Sequence, residues 1–403
     1  MTLTSYVRLL VPALLLLALG CAQRDTDAGS DAIPVKPVDY EGQTLIAATR
    51  SAEWTRNLSN GSSATMQVGE DAAFKAVTAL RYLPNEILPD SFHLDTVRIR
   101  FRVDQVYPGR GEAPDLRMLI KRITEYWSED SLFSESLPNR DSYPVIDTLL
   151  LPTSVLDTAT SVPPAVYWYV PDSIFEIWRG PDSANFGILL EADNPNVIVS
   201  LQSAEGATDY VTQLELIGQE FPEDSGFAAY DWSEALYAVD DGYLAVDQSD
   251  SLAGRLRISQ GVHRRALLYF PLDEVTAHPF RSVVRAWIHL YADVDAPNTL
   301  TYTGQNFLYK DASLVDTTWF ASPDSVLQNF IALSSSEFET DNREIRFEVT
   351  NSLVGMVGQP ETNGGFSIQA TLENDVLSRQ YFYGHDGEVD SLRPRLEIWW
   401  VEQ

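Results

Sequence analysis

A single cysteine, Cys21, stands in a chain of 403 residues, so no disulfide can form within the monomer. Basic residues are scarce: 28 Lys and Arg face 58 Asp and Glu, for a formal net charge of -30. A surface of that sign repels phosphate backbones, which excludes nucleic acid as a general partner. Histidines number five, His93, His263, His278, His289 and His385, and none stands at a close metal-binding spacing. No GxSxG elbow, phosphate loop or dinucleotide fingerprint is present either. Acid pairs are too numerous in this composition for any two carboxylates to stand out as a glycosidase pair. The reading is therefore not an enzyme, with a polysaccharide-degrading activity as the weaker alternative. Long apolar runs are also missing after the N-terminus, so no segment of the body has the length of a membrane-spanning helix.

What is present begins with that N-terminus. Arg8 precedes the apolar run from Leu9 to Leu19, which ends in Leu17-Ala18-Leu19-Gly20-Cys21. A charged start, a short apolar stretch and small residues at the end have the order of a secretory signal. The five residues resemble the bacterial lipobox, which implies cleavage before Cys21, with lipid on its sulfur. Residues 1–20 are then a lipoprotein signal peptide and residues 21–39, polar with Pro34 and Pro37, a flexible tether. The expected place is the bacterial cell envelope, with membrane contact through the N-terminal lipid alone. Ala22 after the cysteine leans towards the outer membrane by analogy with enterobacterial sorting, in periplasmic or outward display.

Beyond the tether, short alternating segments are broken by Gly, Pro, Asn and Asp, the pattern of an all-β chain. Val97, Ile99, Phe101 and Val103 alternate with Arg98, Arg100 and Arg102, and Ala286, Ile288 and Leu290 alternate with Arg285, Trp287, His289 and Tyr291. One face of each strand is core and the other is polar. Around these strands five landmarks recur in order: "ATMQVGED" with "GRLRISQG", the phrase holding each strand, Trp127 with Trp319, "NFGILLEA" with "NGGFSIQA", and "LELIG" with "LEIWW". That order predicts a tandem duplication, residues 40–219 and 236–403, joined by an acidic linker at 220–235. Gly187 and Gly365 are expected at tight bends or bulges.

The phrase "ALLYFPLDEVTAHPFRSVVRAWIHLY" with Trp319, "NGGFSI" and "RPRLEIWW" resembles the DNRLRE-domain family of secreted bacterial proteins. The first module matches more loosely, and both copies depart from the family's Phe-Asp-Leu corner. The resemblance implies two tandem jelly-roll β-sandwiches and, since some members are carbohydrate-binding modules, a noncatalytic role on extracellular polysaccharide or another envelope component.

The two polar rows are the candidate site. Guanidiniums in register repel one another unless carboxylates or an anionic ligand lie over them. A solvated ladder of paired charges and a platform for an acidic glycan, gripped by arginine forks and stacked on Trp or Tyr, both fit Arg98, Arg100, Arg102, Arg285, Trp287, His289 and Tyr291. The rival function is a structural or adhesive surface protein acting as a spacer or binding other envelope proteins. No cofactor is required; calcium is the metal that two acidic loops could hold, through Asp293, Asp295 and Asn298 and through Asp386, Glu388 and Asp390, although ordinary polar turns are the favoured reading of both. Trp127 and Trp319 are expected in the core. Of Trp399 and Trp400, alternation buries one and exposes the other, while "VYWYVPD" from Val166 reads as a binding loop or a strand.

Overall fold

The computed structural model describes residues 41–402 apart from 57, 90, 108–112, 133–134, 154–163, 182–183, 207–209, 222–228, 279–280, 298, 300–305, 312–333, 338–342, 372 and 375. Cys21, Asn298 and Trp319 lie outside the described residues.

The described chain is mostly β, and all its pairings are antiparallel. In chain order the strands are β1 (Gly42–Ala47), β2 (Arg50–Thr55), β3 (Thr65–Glu70), β4 (Phe74–Arg81), β5 (Phe92–Tyr107), β6 (Leu116–Arg122), β7 (Val145–Leu151), β8 (Ala165–Tyr169), β9 (Ile188–Ala192), β10 (Val197–Gln202) and β11 (Gln213–Glu220). They continue with β12 (Tyr230–Leu236), β13 (Asp240–Asp247), β14 (Arg255–Gln260), β15 (Arg264–Tyr269), β16 (Arg281–Tyr291), β17 (Asn306–Asp311), β18 (Ser334–Glu337), β19 (Glu344–Glu348), β20 (Phe366–Ala370), β21 (Ser378–Tyr383) and β22 (Arg395–Glu402). Three short helices punctuate them: α1 (Asp172–Trp178), α2 (Asp273–Thr276) and α3 (Thr350–Gly358).

The ladders occur twice. β3 pairs with β4 and β10, β9 lies between β4 and β6, β6 pairs with β7, and β5 lies between β8 and β11. β14 pairs in the same way with β15 and β21, β20 lies between β15 and β17, β17 pairs with β18, and β16 lies between β19 and β22. In the first set β10 also pairs with β5, which merges everything into one eleven-stranded sheet. In the second a lone bridge, Ala292 to Phe382, stands at that place and sheets of four and seven strands remain separate. One of the sheets curls strongly into half a barrel.

The expected cuts at 219 and 236 do not follow these pairings. β12 extends β11 and β13 lines β4, so residues 230–247 complete the first set of strands rather than joining or opening the second. β1 extends β22 and β2 lines β15, so residues 42–55 complete the second set. Burial supplies the reason: Ile46 and Ala48 enter a core with Ile258, Leu268, Ile288 and Ile398. The chain thus crosses between its halves twice, at 56–64 and at 248–254. The first half is β3 to β13; the second is β14 to β22 with β1 and β2.

Alternation holds within each half. Ile99, Phe101 and Val103 of β5 and Ala286, Ile288 and Leu290 of β16 are 0–1% exposed, and the polar rows face away from the cores. Between the halves lies a smaller apolar cluster, with Phe74, Tyr243 and Ile198 against Val262 and Leu377. Around it, fully buried Arg379 donates to Ala73 O (2.6 Å) and Asp247 (2.5 Å), while Arg257 forks onto Glu53 (2.7 Å) and Ser249 O (2.9 Å). Buried guanidiniums are tolerated only with such partners, and removing one would strand the other. Among the described residues no helix is long and apolar enough to cross a membrane.

Candidate functional site

The two polar rows land on equivalent sheet faces, but their neighbours differ. In the first half β5 runs between β8 and β11, so Arg98 faces Tyr169 on one side and Glu215 on the other, and Arg100 faces Tyr167 and Gln213. Glu215 bridges Arg98 Nε (2.7 Å) and Arg100 Nη1 (2.8 Å), and Arg100 also donates to Gln213. Arg98 lies over the Tyr167 ring at 4.2 Å and Arg102 over Tyr210 at 5.5 Å. Along the paired stretch, β8 and β11 together contribute one carboxylate to three guanidiniums. Tyr167 and Tyr169 are 37% and 61% exposed, because "VYWYV" forms a strand whose alternation buries Trp168 instead.

Electrostatics follow from that count. Burial works against the charge of Arg98, but its hydrogen bonds to Glu215 and Tyr169 outweigh it and raise its affinity for the proton. Burial and the like charge of Arg100 both act against Arg102. A guanidinium stays charged under either influence, so this patch is cationic within an acidic protein.

In the second half the same positions are locked together. His289 places Nδ1 at 2.5 Å from Glu344 and Nε2 at 2.7 Å from Glu397, contacts that are both hydrogen bonds only when both nitrogens carry protons. Tyr291 also donates to Glu344 (3.1 Å), and Trp399 donates to Glu397 (2.8 Å). Burial acts to raise the Glu344 carboxyl, but the bond and charge of His289 overcome it and hold it below the usual range. Arg285 lies 4.4 Å over Trp287 and 3.7 Å from Glu348, and Trp287 meets Trp399 edge to face at 6.3 Å. This row reads as a paired charge lattice, whereas in the first row Arg98 and Arg100 share Glu215 beside exposed tyrosine rings.

Trp399 and Trp400 do not split into one buried and one exposed residue, since both are half-buried. A bulge at Val284 shifts the β16 register between Val283 and Arg285, and Trp400 packs over Gly42, where a Cβ would lie 2.1 Å from the indole. Arg281 covers the other ring face at 3.8 Å. Trp127 is buried and donates to Phe186 O (2.8 Å), as a core landmark should.

The acidic loops considered for calcium converge on a side chain of the protein. Arg255 binds Asp293 (2.6 Å) and Glu388 (3.2 Å) with its guanidinium 4.0 Å over Tyr383. Asp295 pairs with Arg343 (3.0 Å), Asp390 with Arg393 (2.8 Å), and Asp386 lies 3.7 Å from His385. Fixed cations already lie beside these carboxylates, and among the described residues no group of three acidic, His or Cys side chains could hold a metal ion. A separate cavity of about 310 Å3 opens where β5 begins, lined by Phe92, His93, Asp95, Asp172, Glu176 and Arg179; nothing in the sequence pattern marked it.

No family model matches the chain, and no curated protein does. Among solved structures, a chain of infectious bursal virus derived T=1 particles aligns with 92% of this chain and 76% of that one, at 9% identity and a TM-score of 0.13. A likeness at that level carries no argument about fold or function.

Proposed function

We propose that this protein is a noncatalytic, lipid-anchored component of the bacterial envelope that binds acidic polysaccharide through the Arg98, Arg100 and Arg102 face of its first half. The observation that carries the reading is the composition of that face: three guanidiniums in a row, two of them sharing Glu215, beside two exposed tyrosine rings in a chain of net charge -30. Carboxylate or sulfate groups of a glycan would accept charge-assisted hydrogen bonds from these guanidiniums, and sugar faces would stack on Tyr167 and Tyr169. In this reading the halves are the jelly-roll modules that the DNRLRE resemblance implies, and Cys21 carries the lipid.

Calorimetry with uronate and sulfated oligosaccharides tests it. Arg100→Ala removes a charge-assisted contact worth about 1.5–3 kcal/mol and should weaken binding about ten-fold or more, an effect that should shrink at high salt, and Tyr169→Ala should weaken it separately by removing a stacking surface. Trp287→Ala should leave affinity unchanged. Equal affinity in all three folded variants would remove the glycan reading and leave the structural one, a rigid spacer, which the buried Arg379–Asp247 and Arg257–Asp247 pairs joining the halves favour. For the anchor, Cys21→Ser should move the protein from the membrane to the soluble fraction on fractionation.

A further inference from the structure

Strand β1 ends its sheet. One edge pairs with β22 from Gly42–Trp400 to Ala47–Arg395, and among the described residues no strand meets the other edge. Its sequence, Gly-Gln-Thr-Leu-Ile-Ala, contains no charge and no proline. Outer strands are ordinarily guarded by charge, because an open edge presents unpaired N–H and C=O groups to any extended chain. The other outer strands here follow that rule: β19 carries Glu344, Arg346 and Glu348, β12 carries Asp231 and Glu234, and β7 carries Asp147. β8 is uncharged too, but it is five residues long, follows Pro163 and Pro164 and leads into α1. On β1, Ile46 is buried against the core while Leu45 points outward and is 54% exposed. The nearest carboxylate, Glu397 opposite Leu45, is held by Gln43, His289 and Trp399.

We infer that the free edge of β1 pairs with β1 of a second copy of this chain, antiparallel about a two-fold axis. Charge selects this partner. Two molecules of net charge -30 repel, so they can meet closely only along a strip without like charges, and β1 against itself supplies one on both sides. The acids of β12, β7 or β19 would have to be desolvated in any pairing made with those strands. A two-fold pairing also closes after two copies, whereas head-to-tail pairing of unlike edges would run on. Centred on Leu45, the register sets Leu45 against its symmetry mate, Gln43 against Ala47 and Thr44 against Ile46, and joins two four-stranded sheets into one. The inference does not depend on the glycan reading.

A single strand per copy is a small interface, below about 1,200 Å2, so association should be weak and concentration-dependent. Sedimentation of the full chain in mild detergent, from about 1 µM to about 1 mM, should show a monomer giving way to a dimer. Leu45→Glu and Leu45→Lys, at an outward position, should keep the wild-type circular dichroism and a cooperative melt, lowered somewhat in Leu45→Glu by Glu397 across β22, yet remain monomeric across that range, because each sets like charges opposite each other in the dimer. An equimolar mixture of the two variants should recover the dimer. A wild-type chain monomeric throughout, variants that dimerise like wild type, or a mixture that fails to recover would each overturn the symmetric pairing. Oligosaccharide affinity, measured in parallel, reports separately on the Arg98–Arg102 face.

Discussion

His263 combines left-handed backbone, φ 52°, with near-complete burial, and its Nε2 has no hydrogen-bond partner. Burial, then the charges of Arg265 and Arg56, hold its imidazole down to about 4. An unfolded chain protonates this histidine below about 6.5 while the fold resists until about 4, so the unfolded state binds more protons in that window and stability falls as pH drops through it. The full loss should be about 3 kcal/mol, readable as a fall in the urea midpoint from pH 7 to pH 4.5. His263→Asn, which tolerates φ 52°, should remove that slope; an unaltered slope would clear His263 of the effect. Asp241 works in the opposite sense. It is 1% exposed and accepts from Ala204 N (2.8 Å), and burial, then the charge of Glu205, push its carboxyl up to about 8. The fold therefore keeps a proton that the unfolded chain gives up above about 3.9, and stability declines as pH rises from there towards 8. Asp241→Asn mimics the protonated form and should flatten the high-pH limb while leaving the low-pH limb in place. The windows overlap between about 4 and 6.5 with opposite slopes, so the two variants, and not the wild-type profile, separate them.

At the scale of elements, the entries to β9 and β20 use the same device. Asn185 donates to Tyr82 O (2.7 Å) and Asn363 to Phe270 O (2.9 Å), two residues ahead of Gly187 and Gly365 with φ 78° and 93°. A Cβ on Gly187 would lie 2.0 Å from Leu80 O, and one on Gly365 2.4 Å from Leu268 O. Asn185→Ala or Asn363→Ala should cost about 1–3 kcal/mol, since each strands a buried carbonyl, and Gly187→Ala or Gly365→Ala at least as much. Thermal melts showing these changes harmless in one half and costly in the other would break the equivalence. These corners were legible in the sequence because Asn-x-Gly is a local pattern, and the in-out alternation of β5 and β16 was legible for the same reason. What surrounds the arginine row was not. Glu215 and Gln213 reach it from over a hundred residues away, and Tyr167 and Tyr169 come from a strand whose counterpart, Glu-Ile-Arg-Phe-Glu, shares its alternation but none of its chemistry. The partners of the acidic loops were hidden for the same reason: a run such as "DVDAPN" does not show in sequence that Asp293 and Asp295 lie beside Arg255 and Arg343.

On the scale of the whole molecule, the same ladders recur in both halves, but their strand order is rotated in the chain. The first half begins with β3 and ends with β12 and β13, which add to β11 and β4; the second begins with β14, ends with β22, and takes the corresponding strands from the far N-terminal side as β1 and β2, which add to β22 and β15. Sequence alone could not show this, because composition assigns residues 42–55 to whatever follows them, while antiparallel pairing assigns them by free edges and open cores. The break in order can be moved. β22 ends beside the start of β1, with Gly42 opposite Trp400 and Glu402 N donating to Glu41 (2.6 Å), the same relation that β11 has to β12, where Glu220 lies opposite Tyr230. Residues 60–250, which contain every strand of the first half, should therefore give β-rich circular dichroism and a cooperative melt on their own. Residues 254–403 should not, because without Ile46, Ala48 and Trp54 the faces of β22 and β15 are uncovered. Appending residues 41–56 after 403 through a short flexible linker would restore the strand order of the first half, and that permuted fragment should recover the cooperative melt. A 254–403 fragment that folds without them would mean that β1 and β2 decorate the second half without completing it. A permuted fragment that stays unfolded would mean that the buried contacts of Arg379 and Arg257 with the first half, and not the missing strands β1 and β2, decide whether the second half folds.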